Sequence, residues 1–224
     1  MWRWPRPRNA IAKEIMAGTS PDLTPNIVIS DSVRWTLNGS GKFTLKSAWN
    51  ALRTVYPVVP WAKGVWFSHN VSRWAFIEWL TFLGRLFTKD RLLSWGLGVN
   101  ATCVLCCQED ESHEHLFFEC DYSRYVWTRM LGKNTIVRPC YGLAREIDWL
   151  CTHMRADSYT QRTYKLSLAA SIYWIWRERN ARVFKGINTS AESLWSKIAD
   201  EVKACMCSWR RIKPNDENRL LVRS

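Results

Sequence analysis

Between residues 33 and 45 the chain alternates. Val33, Trp35 and Leu37 are apolar with polar residues between them, Asn38-Gly39-Ser40-Gly41 supplies a turn, and Phe43 and Leu45 resume the apolar set. A period of two around Asn-Gly predicts a small β-hairpin. From about Leu45 the period lengthens, so that Ala48, Leu52, Val55 and Tyr56 share one face of an expected helix, which Pro57 and Pro60 end. Residues 73–87 set Trp74, Ile77, Leu80, Phe82, Leu83 and Leu86 nearly all round a helix, the pattern expected of the domain's central packing element. Thr88 reads as the N-cap of a short helix with Asp90 in its first turn and Gly96 at its end.

Helical spacing returns at 121–131 with Tyr125, Trp127 and Leu131, and continues over 142–155 and 160–184. A last helix begins at a Thr189-x-x-Glu192 capping box and aligns Leu194, Ile198, Val202, Cys205, Met206 and Trp209. Residues 1–30 carry Pro5, Pro7, Pro21 and Pro25 and read as an extended linker, helical at most from Asn9 to Ala17. Asn215 to Asn218, after Pro214, reads as a frayed tail. The fold expected is mainly α with a small β-hairpin: a linker over 1–30, a domain over 31–131, and a helical C-terminal extension over 132–224.

Between the helices ending near Gly96 and beginning near Asp121 lies Cys103-x2-Cys106-x8-His115-x4-Cys120. Two cysteines separated by two residues can grip one ion from a tight turn, and a His and a Cys five positions apart can complete a tetrahedron. Thiolate and imidazole suit zinc, and four protein ligands leave no open position for water, so a structural Zn2+ is expected. A bare Cys-x-x-Cys would also fit two buried thiols or a redox pair; the downstream His and Cys favour the metal. Cys107 competes with Cys106, and His113 with His115, on spacing alone.

Composition refines this picture. The 224 residues are 47% hydrophobic and 23% charged, ordinary for a folded chain, with an unusual 15 Trp. Most Trp are expected in the core, a minority as stacking platforms. Cys140, Cys151, Cys205 and Cys207 are scattered on expected helices, which does not suggest a disulfide framework. No signal peptide or transmembrane run is evident, so an intracellular, reducing setting is expected, and the basic clusters suit the nucleus. The net charge of +12 points to a polyanionic partner. Residues 103–120 run against it: they hold Glu109, Asp110, Glu111, Glu114 and Glu119 and no Lys or Arg. The metal loop is therefore a poor phosphate ligand by itself, and its expected role is to orient basic elements on either side.

The run Cys-Val-Leu-Cys…Glu-Ser-His-Glu-His-Leu-Phe-Phe-Glu-Cys…Val-Trp resembles the reverse transcriptase zinc-binding domain that follows the polymerase in plant LINE-type (non-LTR) retrotransposons. Residues 32–49 (Ser-Val-Arg-Trp-Thr-Leu-Asn-Gly-Ser-Gly-Lys-Phe-Thr-Leu-Lys-Ser-Ala-Trp) and 84–92 (Gly-Arg-Leu-Phe-Thr-Lys-Asp-Arg-Leu) extend the resemblance. Residues 175–184 (Ile-Trp-Arg-Glu-Arg-Asn-Ala-Arg-Val-Phe) resemble the tail that often follows this domain. The resemblance implies Cys103, Cys106, His115 and Cys120 as ligands, a linker that has lost its upstream polymerase, and assistance to that polymerase in holding RNA or DNA. Cys107 departs from the pattern, which tends to place Gly there.

Catalysis is not expected. No Asp-Asp pair for a polymerase occurs, few carboxylates are left for a nuclease, and His113-Glu114 lacks the second His of a metalloprotease motif because Phe117 holds its place. Nucleic-acid binding is the stronger expectation. Arg85, Lys89 and Arg91 precede the loop, and Arg124, Arg129 and Lys133 follow it. Arg177, Arg179, Arg182 and Lys185 lie beside Tyr173, Trp174 and Trp176, and Arg210, Arg211 and Lys213 follow Trp209. Such side chains could track phosphates while an exposed Trp stacks on a base. The alternative is a structural or protein-interaction module docking, for example, a polymerase fragment, or a decayed retroelement remnant; no membrane partner is expected.

Overall fold

The computed structural model describes residues 6–19 and 33–209. Much of the expected linker, the frayed tail, and Arg210, Arg211 and Lys213 fall outside the described residues. The chain divides into two compact units, 1–57 and 58–224, so the boundary expected at residue 131 lies inside the second.

In the first unit, α1 spans Ala10–Gly18, with the Asn9 side chain accepting from the Ala12 N–H, close to the helix expected there. The expected hairpin does not form. Asn38 organises a turn, Trp35 N–H donates to the Gly41 carbonyl at 2.7 Å, and Trp35 packs edge-on against Phe43. The ladder goes no further, because Thr44 is already the N-cap of α2 (Leu45–Leu52), in a capping box with Ser47. Two short strands with no third strand or packed face are marginal in water. Nor does α2 bury the face expected of it: Ala48 is half-buried, Leu52 is exposed, and Val55 and Tyr56 are exposed beyond the helix end.

The second unit is all helix apart from one isolated antiparallel bridge between Thr102 and Asp110 among the described residues. Its short first helices are α3 (Ala62–Val65), α4 (Ser72–Phe82) and α5 (Lys89–Ser94). A π-helical turn at His115–Glu119 leads into α6 (Asp121–Lys133). Then follow α7 (Leu143–His153), α8 (Tyr159–Lys185) and α9 (Ala191–Cys207).

The central element is α8, not the stretch 73–87. Every residue from Thr163 to Ile172 is buried, and α4, α6, α9 and the π turn all pack on this helix. A helix apolar or small on all sides is one surrounded by others. Ser158 caps its start and Gly186, in the left-handed region at φ 65°, ends it. The 73–87 helix stops early, at Phe82, where Gly84 turns at φ 61° and Arg85 N–H bonds back to the Leu80 carbonyl. The start of α9 is capped by Ser190 rather than Thr189, whose backbone is used elsewhere. Cys140 lies in the loop before α7, whereas Cys151, Cys205 and Cys207 are helical as expected. Trp74 and Trp127 are fully buried, and Trp127 meets Phe118 and Tyr164 edge-on.

Candidate metal centre

The loop begins as a narrow two-stranded neck. Cys103 N–H donates to the Glu109 carbonyl at 2.7 Å and Glu111 N–H to the Ala101 carbonyl at 2.9 Å. Within the neck the chain folds back so that Cys107 N–H reaches the Cys103 carbonyl at 2.8 Å, and Leu105 N–H points at Cys103 Sγ at 3.4 Å. Backbone N–H groups aimed at sulfur favour the thiolate. The fold-back places Cys107 at φ 58°, where glycine is the least strained residue.

The other half comes from the π turn. In an α-helix, residues five apart point about 140° away from each other, since each residue advances about 100°. Here the Cys120 N–H bonds to the His115 carbonyl at 2.7 Å, the five-residue spacing of a π turn, and brings both side chains to one side. Leu116, Phe117 and Phe118 anchor this turn in the core, and Ser123 Oγ donates to the Leu116 carbonyl.

The structure thereby brings Cys103, Cys106, His115 and Cys120 together. Each offers one ligand atom, and these atoms all lie within 4.8 Å of one another. Zinc–sulfur bonds of about 2.3 Å and zinc–nitrogen bonds of about 2.0–2.1 Å put tetrahedral donors roughly 3.6–3.8 Å apart, so the set fits one such ion. Cys106 Sγ is 3.3 Å from His115 Nε2. A hydrogen bond from Cys120 draws the Cys103 thiol down to about 5 against the cost of burial, and the same contact pushes the Cys120 thiol well up. Two buried sulfurs in contact favour one thiolate and oppose a second; a divalent cation among them removes that opposition.

The two rivals lie elsewhere. Cys107 is exposed, its Sγ 3.9 Å from the Val104 carbonyl. His113 is engaged at Nδ1 by Thr88 Oγ1 at 3.0 Å, its pKa lowered by burial.

Acidic residues of the loop, read from the sequence only as charge, turn out to be its fasteners. Glu111 is fully buried and its carboxylate accepts from Lys89 N–H at 3.0 Å, at the first residue of α5, while pairing with Arg179 of α8 at 2.7 Å. Glu114 accepts from Leu143 N–H at 2.7 Å, at the first residue of α7. A carboxylate on orphan N–H groups at a helix start is favoured by hydrogen bonding and by the helix dipole. Gly142 leaves room for this approach: a Cβ there would meet Glu119 Oε1 at 3.0 Å and Glu114 Oε2 at 3.2 Å, close enough that the two carboxylates would have to shift.

Two arginines expected to face phosphate are turned inward instead. Arg179 is 3% exposed and bound to Glu111. Arg182 donates from Nη1 to the Val104 and Leu105 carbonyls at 3.1 Å each, between the first two cysteines, and pairs with Glu178 at 2.8 Å. Arg182 also lies over the Tyr122 ring, and both it and Tyr122 hydrogen-bond the Thr189 carbonyl. Charge count alone could not separate these two from surface arginines. Lys89, too, spends its ammonium on the Thr102 carbonyl.

The remaining basic residues are outward to different degrees. Arg85, Arg124, Arg129, Arg177 and Lys185 are exposed, and Lys133 is half-buried. Arg124 pairs with Asp121 and Arg129 with Glu192. Arg91 is half-buried, donates to the Leu86 carbonyl and stacks on Trp95.

Residues 43–127 match the family described as zinc-binding in reverse transcriptase, a segment that contains all four clustered ligands. No curated protein and no solved structure matches the chain. Among the described residues no helix is long and apolar enough to cross a membrane.

Proposed function

We propose that this chain is a non-catalytic module of retrotransposon origin in which one structural Zn2+, held by Cys103, Cys106, His115 and Cys120, positions basic surfaces that bind nucleic acid. The observation that carries the reading is the convergence of those four side chains inside the matched segment 43–127. The ion would supply cross-linking, not chemistry, because four protein donors leave no place for a substrate. The rest is work for the chain. Glu111 and Glu114 fix the starts of α5 and α7 to the loop, and Arg179 and Arg182 fix the loop to α8. Arg85 precedes the loop in the chain and Arg124 and Arg129 follow it, all three exposed. The polymerase of such an element is the natural protein partner, and the nucleus the compartment where its target lies.

The test is fluorescence anisotropy of labelled single- and double-stranded oligonucleotides titrated with zinc-loaded protein at several salt concentrations. Micromolar or tighter binding that weakens linearly on a log–log salt plot, by several units of slope, and that chelation abolishes is the expected result. Folded, metal-loaded protein that does not bind, or binds independently of salt, would sink the reading. The exposed Leu45, Trp49 and Leu52 favour a second one, a protein-interaction module, for which salt insensitivity would be the mark.

A further inference from the structure

Where α4, α8 and α9 run side by side, three cations gather on two aromatic rings. The Tyr173 ring carries Arg73 of α4 and Arg177 of α8, each guanidinium carbon 5.8 Å from its centroid. The neighbouring Trp174 ring, 5.4 Å from that of Tyr173, carries Arg177 at 5.1 Å and Lys197 of α9 at 3.8 Å. All three cations are exposed, and none has a carboxylate partner among the described residues. The Glu201 carboxylate lies at the edge of these rings, accepting from the Trp174 indole N–H at 2.9 Å. Arg124, Arg129, Arg162 and Arg182 each have a carboxylate within ion-pair distance, which these three do not.

We propose that Arg73, Arg177 and Lys197 form a phosphate-binding row that tracks the sugar-phosphate backbone of a nucleic acid across α4, α8 and α9. The proposal rests on the nucleic-acid reading above and assigns its principal contact surface. Glu201 offsets Lys197 in part, but Arg73 and Arg177, on one ring with no carboxylate partner among the described residues, repel until an anion joins them, and the rings beneath restrict the long side chains before binding. The rings themselves are a floor rather than stacking platforms, since Trp174 is 9% exposed and Tyr173 half-buried. With no aromatic free to take a base, binding here should be indifferent to base identity. A protein partner fits less well, because interfaces centre on an apolar anchor that this row lacks.

The experiment uses the full zinc-loaded chain and the triple variant Arg73→Gln/Arg177→Gln/Lys197→Gln, with anisotropy on a labelled single strand from 50 to 300 mM KCl. Each lost phosphate contact on single strands lowers the salt slope by about 0.7, so the triple variant should lose about 2 units of slope and bind roughly 100-fold more weakly at 0.1 M salt. The charge-conserving variant Arg73→Lys/Arg177→Lys/Lys197→Arg should keep the wild-type slope. An equal loss in that variant would show that the row acts through packing and would overturn the proposal. So would wild-type slope and affinity in the glutamine variant; if Arg85→Gln or Lys185→Gln then weakened binding, the nucleic-acid reading would stand without this row. Failure of the unaltered protein to bind any oligonucleotide would remove both. Competition by polyglutamate as effective as by oligonucleotide would also overturn it, by showing a general polyanion site.

Discussion

Cys107 sits at φ 58° between the second and third ligands, a region that costs a side-chain-bearing residue about 1–2 kcal/mol. Glycine relieves that cost but has more freedom to lose on folding, so Cys107→Gly should stabilise the protein by about 0.5–1 kcal/mol in thermal or urea unfolding without changing zinc stoichiometry. A drop in stability would show that Cys107 has a role beyond the turn. Glu78 of α4 presents the opposite problem. It is fully buried, neither carboxylate oxygen has a hydrogen-bond partner among the described residues, and burial raises its pKa well above the ordinary 4.5. Because the folded state holds this proton more tightly, the cost is absent below the ordinary value and grows as pH rises through the raised one. Glu78→Leu should therefore stabilise by about 1–3 kcal/mol at pH 7, with the gain shrinking toward pH 4. A gain independent of pH would mean that the carboxyl is not the source.

At the scale of elements, the loop is held by a buried ion pair between residues distant in sequence. Removing one partner strands the other charge, so Arg179→Ala should destabilise by about 3–5 kcal/mol, whereas the paired replacement Glu111→Leu/Arg179→Met should cost far less. The comparison is read by equilibrium unfolding; equal losses in the single and paired variants would contradict the account. These contacts mark where sequence reading runs short. The ligand spacing, the turn after Cys103 and the Gly96 stop are local signals, legible in the order of residues; Thr88 sits at the start of α5 as expected, but its hydroxyl goes to His113 and makes no cap. The hairpin at 33–45 was legible as a turn but not as a ladder, since pairing depends on a packed face that the pattern cannot display. The π turn cannot be read from a His-x4-Cys spacing, and the inward aim of Arg179 and Arg182 depends on a loop some seventy positions away. Both the central place of α8 and the lesser place of 73–87 follow from what packs around each, since both are apolar enough to be buried.

For the whole molecule, the metal is expected to be part of the fold. Apparent binding energies of structural zinc run to roughly 10–16 kcal/mol in small modules near neutral pH, as large as the net stability of an ordinary domain. Chelation, Cys103→Ser or Cys120→Ser should therefore loosen the loop, α5 and the start of α7 while parts of the α8 core persist. Amide hydrogen exchange would follow this: protection lost first at Cys103–Cys120, Lys89–Ser94 and Leu143. Retained thermal stability and uniform protection after metal loss would count against a structural ion.

The reach of Arg182 back to the Val104 and Leu105 carbonyls also sets an order of events during synthesis. The clustered ligands are complete once Cys120 has emerged from the ribosome, but their clasp is still unmade. At about 5–20 residues per second, Arg182 follows some 3–12 s later. During that interval the nascent loop must rely on its own turns and on zinc. An excised fragment ending at residue 127 would stay in that condition permanently, so a piece meant to keep the site intact has to run on past Arg182, at least to Thr189, whose carbonyl also holds that side chain.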